Sequence, residues 1–154
     1  MNILVLYGTE TGNAEECSTA VAEILGKHAD VAEFDMTDFT TDRFVDAAAD
    51  YVVFVTATHG DGELAGGGAA FFEALTTRKP VLTGTKFAVF GLGDSYYTTY
   101  NRAGEIVVET MTGFGAELIA PLARHDASSG DDPQEQASEW AQELVHVIGA
   151  PVPS

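Results

Sequence analysis

The chain is poor in positive charge and nearly without cysteine. Seven Lys and Arg stand against 24 Asp and Glu in 154 residues, a formal net charge of −17. Such a surface repels nucleic acid and anionic membrane, so neither is expected as a partner, and a protein that docks here should present a basic face. Acidity that serves only solubility accounts for the composition equally well. Cys17 is the single cysteine, which excludes an internal disulfide and fits a reducing cytoplasm. No apolar run approaches the roughly 20 residues of a membrane-spanning helix. The opening "MNILVLYG" has no basic leader, so no signal peptide is expected. What is present is a composition 45% hydrophobic, enough for one globular core. A single domain over residues 1–149 is expected, acting as a monomer, with a short tail at 150–154 that frays.

The pattern along the chain alternates. "NILVLY" (2–7) is an apolar strand, and from Asn13 the period becomes helical through Ala14, Cys17, Val21 and Ile24. "VAEFDM" (31–36) is a weaker strand, 40–49 a short helix, and "YVVFVTA" (51–57) a fully buried strand. "GAAFFEALTT" is helical and "KFAVFGL" (86–92) is the fourth strand. Residues 102–114 carry Ile106, Val107, Thr110, Met111 and Phe114 on one stripe, and "GAELIAP" (115–121) supplies a fifth strand. The last helix, 133–148, begins at a proline suited to a first turn and should bury Trp140, Leu144, Val147 and Ile148. Five strands alternating with five helices predict an α/β three-layer sandwich, a parallel sheet with helices on both faces. The most apolar strands belong in the middle, giving the order 2-1-3-4-5 and a ligand crevice at the carboxyl ends of strands one and three.

Four polar, glycine-bearing loops converge on that edge: "GTETGN", "TATHGDGELAGGG", "GLGDSYYTTYN" and "RHDASSGDD". The first offers hydroxyls, flexible glycines and the free amides of a helix start, without one lysine or arginine. These can surround a phosphate. Read alone, the loop fits a Thr-capped ordinary helix as well as a phosphate cradle. It lacks the Gly-Lys-Ser/Thr ending of a nucleoside-triphosphate loop and the three spaced glycines of a dinucleotide fingerprint. No ligand spacing links His28, His125 and His146, so no metal is expected. Cys17 and Trp140 read as core residues, and Tyr96 and Tyr100 as packing or surface residues.

The three loops "YGTETGNAEE", "TATHGDGE" and "FAVFGLGDSYYTTYNRAG", in this order and at these places, resemble the flavin loops of the flavodoxin family. The likeness covers essentially the whole chain and is nearest to short-chain, MioC-like flavodoxins and to the FMN domains of diflavin reductases. It implies a flavodoxin-like fold and FMN as cofactor. It places Thr9, Glu10, Thr11, Gly12, Asn13 and Ala14 around the phosphate; where the family often has threonine, Asn13 contributes its backbone amide. Thr58, His59, Gly60 and Asp61 would border the flavin ring, with the Gly60 carbonyl near flavin N5 and His59 standing where diflavin domains have tyrosine. Leu92, Gly93, Asp94, Tyr97 and Asn101 match positions that touch ring and ribityl chain, Tyr97 as stacking partner, and Asp126 matches a late acidic contact.

The resemblance further implies a one-electron carrier with no catalytic residue of its own. Its donor would be an NADPH-dependent flavodoxin/ferredoxin reductase, and its acceptors redox enzymes with basic docking faces. Negative charge on the flavin is unfavourable in so acidic a protein, so the lower of its two couples should be strongly reducing. A response-regulator receiver shares the topology but needs an acidic cluster after strand one and a lysine after strand five, which are absent. An FMN-dependent NAD(P)H:quinone oxidoreductase is the rival reading, without an evident nicotinamide or quinone site.

Overall fold

Residues Ile3 to Leu6 are all at most 4% exposed, as expected of a strand covered on both faces. This is β1 (Asn2–Gly8), followed by α1 (Asn13–Leu25), β2 (Asp30–Asp35), α2 (Thr41–Ala47) and β3 (Tyr51–His59). The two-residue β4 (Glu63–Leu64) precedes α3 (Gly68–Arg78), β5 (Lys86–Gly93) and α4 (Arg102–Gly113). Two short strands, β6 (Glu117–Leu118) and β7 (Ala123–Asp126), lead to α5 (Pro133–Val147). The computed structural model describes residues 2–8, 13–47, 49–59, 63–64, 68–93, 102–120, 122–126 and 132–148.

The sheet order is β2-β1-β3-β5-β6, with β7 continuing beside β5. Every pairing is parallel except the antiparallel turn-back of β4 on β3. This is the predicted 2-1-3-4-5 order, and the apolar β1, β3 and β5 occupy its centre. Two details depart from expectation. The fifth strand is broken: β6 lies against Lys86 and Phe87, and β7 against the stretch from Phe90 to Gly93. In the sequence Pro121 falls between the two pieces, and proline has no N–H to give a ladder. Arg124, His125 and Asp126 therefore belong to a strand, not to the loop the sequence suggested. Val147 is 50% exposed, not buried. The stripe of α5 runs through Ala137, Ala141, Leu144 and Ile148, with Trp140 at its margin, and Val147 lies past that margin.

The strand period of two divides the core. Leu4, Leu6, Val52, Phe54, Phe87 and Val89 face α3 and α4, meeting Phe71, Phe72, Leu75, Val107 and Met111. Ile3, Val5, Val53, Val55, Phe90 and Leu92 face α1 and α5, meeting Cys17, Val21, Trp140 and Leu144. At the start of α5 the Asp132 carboxylate accepts from the Gln134 backbone N–H at 3.0 Å, and Pro133 takes the first helical position.

Candidate cofactor site at the carboxyl edge of the sheet

The strands deliver their carboxyl ends to one edge in a fixed register. Gly8, the last residue of β1, lies opposite Thr56 of β3, which in turn lies opposite Gly91 of β5. Leu92 lies opposite His125, and Gly93 opposite Asp126. Helix α1 opens on the same edge at Asn13, and its first backbone N–H groups have no partner within the helix. Their partial positive charge favours an anion there.

The acidic residues of that first turn are drawn sideways. Glu16 accepts from Gln134 Nε2 at 3.1 Å, tying α1 to the start of α5. Glu15 stands beside Tyr7, whose phenol is pushed up to about 12 by partial burial and then by the carboxylates of Glu15, Asp35 and Glu33. Neither carboxylate need fill the helix end. Beneath the turn, Cys17 is fully buried and its thiol is pushed up to about 12, first by burial and then by Glu16 and Asp132. It is a neutral packing group, as the sequence indicated.

Of the site residues expected from sequence, Thr9, Glu10, Thr11, Gly12, Gly60, Asp61, Asp94, Tyr97 and Asn101 lie outside the described residues. Asn13 begins α1. Ala14 has no exposed surface and its methyl packs into the α1/α5 half of the core, which leaves its backbone N–H for a ligand. Thr58 and His59 end β3, paired with Leu64 and Glu63 of β4. That pairing, unforeseen in the sequence, brings Glu63 back beside the end of β3. Leu92 is buried in the α1/α5 core, so its side chain serves packing and its backbone serves the edge. Gly93 and Asp126 end neighbouring strands. His125 is buried, its Nδ1 hydrogen-bonded to Oε1 of Gln136 on α5. Among the described residues no His, Cys, Asp or Glu group could hold a metal ion.

One residue of this edge escaped the sequence reading. Thr56 is 1% exposed and its hydroxyl has no hydrogen-bond partner among the described residues. An unpaired buried hydroxyl costs about 1–3 kcal/mol. Ser18 of α1 shares this condition, but a helical serine has the carbonyl four residues back within one rotamer change. Thr56 sits in the middle of the sheet, where the backbone groups on both sides already pair with β1 and β5. Two rows of large side chains, Leu4/Val52/Phe87 and Leu6/Phe54/Val89, are succeeded by Gly8/Thr56/Gly91. On this face the rows of large side chains thus end, at the level of the last residue of β1, in a hydroxyl flanked by two glycines. An orphaned hydroxyl, close backbone approach and a helix start free of cations fit a polyhydroxylated phosphate ester such as FMN.

A sequence model of the family described as Flavodoxin matches residues 5–140. The chain belongs to the flavodoxin family. It is 35% identical over 131 residues to NADPH–cytochrome P450 reductase of Rattus norvegicus, covering 81% of this chain but 19% of that protein. It is 29% identical over 157 residues to pyruvate dehydrogenase [NADP(+)] of Cryptosporidium parvum, covering 97% of this chain and 8% of that one. The chain thus spans about a fifth or less of the length of these two relatives. Among solved structures, a cysteine-to-alanine point mutant of flavodoxin from Pseudomonas aeruginosa aligns with a TM-score of 0.88 at 27% identity, covering 96% of this chain and 99% of the other. Flavodoxin 2 of Bacillus cereus aligns with a TM-score of 0.82, also at 27% identity, covering 95% and 99%. The cofactor of this flavodoxin is FMN, and the protein is an electron-transfer flavoprotein. Among the described residues no helix is long and apolar enough to cross a membrane.

Proposed function

We propose that this flavodoxin shuttles single low-potential electrons from an NADPH-dependent flavodoxin/ferredoxin reductase to acceptor redox enzymes. The observation that carries the reading is the edge where the ends of β1, β3, β5 and β7 meet the cation-free start of α1. Bound FMN supplies the one-electron chemistry. The chain holds its phosphate with the amides of Asn13 and Ala14 and the hydroxyls of Thr9 and Thr11, helped by Glu10 and Gly12 through their backbone. Thr58, His59, Gly60 and Asp61 border one side of the ring. Leu92, Gly93, Asp94, Tyr97 and Asn101 border the other, with Tyr97 stacked and Asp126 at the margin. The Gly60 carbonyl can accept a hydrogen bond from an N–H of the ring, and glycine lets that peptide turn at little cost. The net charge of −17 raises the energy of each added electron and makes the lower couple strongly reducing.

Released flavin identified by mass spectrometry should be FMN and not FAD. NADPH alone should reduce the protein slowly, and NADPH with a basic reductase rapidly. That reductase-dependent rate should fall between 0.1 M and 1 M salt, where the Debye length shrinks from about 10 Å to about 3 Å. Rapid, salt-independent turnover with NADPH and a quinone, without a reductase, would replace this reading by that of a quinone oxidoreductase.

A further inference from the structure

The hydroxyl of Thr56 belongs to the topmost row of the sheet that β1, β3 and β5 complete together, since Gly8 is the last residue of β1. β1 runs on into the phosphate loop. β3 and β5 run on into the two loops assigned to the ring. The part of FMN that spans from one to the other is its ribityl chain, the portion richest in hydroxyl groups. Below this row β3 reads Val52, Val53, Phe54 and Val55, all at most 1% exposed. Valine at 56 would have the same shape and would leave no polar atom unpaired. The threonine is therefore unfavourable for the sheet alone and becomes favourable once a hydrogen-bonding ligand reaches it. The flanking Gly8 and Gly91 place no side chain beside the hydroxyl.

We propose that Thr56 is a cofactor-positioning residue, whose buried hydroxyl takes its hydrogen bond from the ribityl chain of FMN, directly or through one bridging water. The bond holds the middle of the cofactor over the central strand, between its phosphate end and its ring. This rests on the flavodoxin reading of the edge and on its assignment of the three loops to phosphate and ring.

The test uses Thr56→Val and Thr56→Ser, prepared without flavin and titrated with FMN, riboflavin and lumiflavin, which has the ring but no ribityl chain. In Thr56→Val, the flavin-free protein should melt about 2–4 °C higher than wild type, because the unpaired hydroxyl is gone. The same variant should bind FMN and riboflavin about tenfold more weakly and lumiflavin as well as wild type does. Thr56→Ser should restore most of the FMN affinity. Unchanged FMN affinity in Thr56→Val would overturn the proposal, as would an equal loss for lumiflavin, which would assign the hydroxyl to the ring. A wild-type protein that binds none of the three would instead refute the flavin site as a whole, so the two failures are distinguishable.

Discussion

The two faces of the sheet are built from different materials. Toward α3 and α4 the buried core holds six phenylalanines, Phe39, Phe44, Phe54, Phe71, Phe72 and Phe87, against Phe90 alone toward α1 and α5. The aromatic face is joined ring to ring: Phe54 meets Phe72 at 5.3 Å, and Phe71 meets Phe72 at 5.3 Å and Phe44 at 5.6 Å. The other face replaces bulk by small groups, Ala14, Cys17, Ala88, Ala137 and Ala141. Small residues let helices approach closely, since the spacing of packed helices depends on the side chains between them. Close approach fixes α1 against the sheet, and the start of α1 is the proposed phosphate end of the site. One face thus supplies most of the cohesion, and the other sets a position. Titratable groups divide the same way. Cys17 and His125 are buried toward α1 and α5, whereas the buried residues of the aromatic cluster carry no ionisable group.

A cavity on the aromatic face should have the largest effect. Phe54→Ala should lower unfolding free energy by about 3–5 kcal/mol, measured by urea denaturation of the flavin-free protein. Any loss of FMN should follow global unfolding, with FMN and riboflavin affected alike. A smaller change on the other face should act more on the site. Ala14→Leu should cost about 1–3 kcal/mol by overpacking beneath the first turn of α1. It should weaken FMN well beyond riboflavin, because the displaced group is the amide proposed to meet the phosphate. Thr11→Ala should share this preference with little loss of stability. Equal losses for FMN and riboflavin in both variants would place the phosphate elsewhere.

How much of this could be read from sequence follows from the same physics. β1, β3 and β5 were legible because strands buried on both faces read as unbroken apolar runs. The helices were legible from their period. β7 was not, because "RHD" at a sheet edge carries no apolar signal, and the proline before it reads as an end. β4 is two residues long and has no period to detect. The phosphate-binding reading of "GTETGN" came from threonines and glycines between a strand and a helix, and of that stretch only Gly8 and Asn13 lie among the described residues. Thr56 was not legible, since a threonine in a strand is an ordinary strand former. Only the long-range register, which sets Gly8 and Gly91 on either side of it, distinguishes it from its neighbours.

The smallest effect separates the two faces by pH. The thiol of Cys17 rises from an ordinary 9.0 to about 12 on folding, and the phenol of Tyr7 from 10.0 to about 12. In both cases the folded protein keeps a proton that the unfolded chain gives up. Stability is therefore intact below the unfolded value and declines as pH rises through the interval toward the folded one. Between about pH 9 and 10 the decline belongs mainly to Cys17, at no more than about 1.4 kcal/mol per pH unit. Above about 10, Tyr7 joins it. Urea denaturation of wild type and Cys17→Ala across pH 7.5 to 10.5 should give parallel plateaus up to about 9. Between about 9 and 10 the wild-type curve should decline from its plateau while the variant curve stays nearly flat, and above about 10 both should decline through Tyr7, the wild type more steeply. Over the same range Phe87→Leu should shift the whole profile downward without changing its shape, because among the described residues its side of the sheet buries no ionisable group. A Cys17→Ala profile that bends as wild type does would show that the thiol is not the source, and that the small-residue face is more open to water than the burial of Cys17 requires.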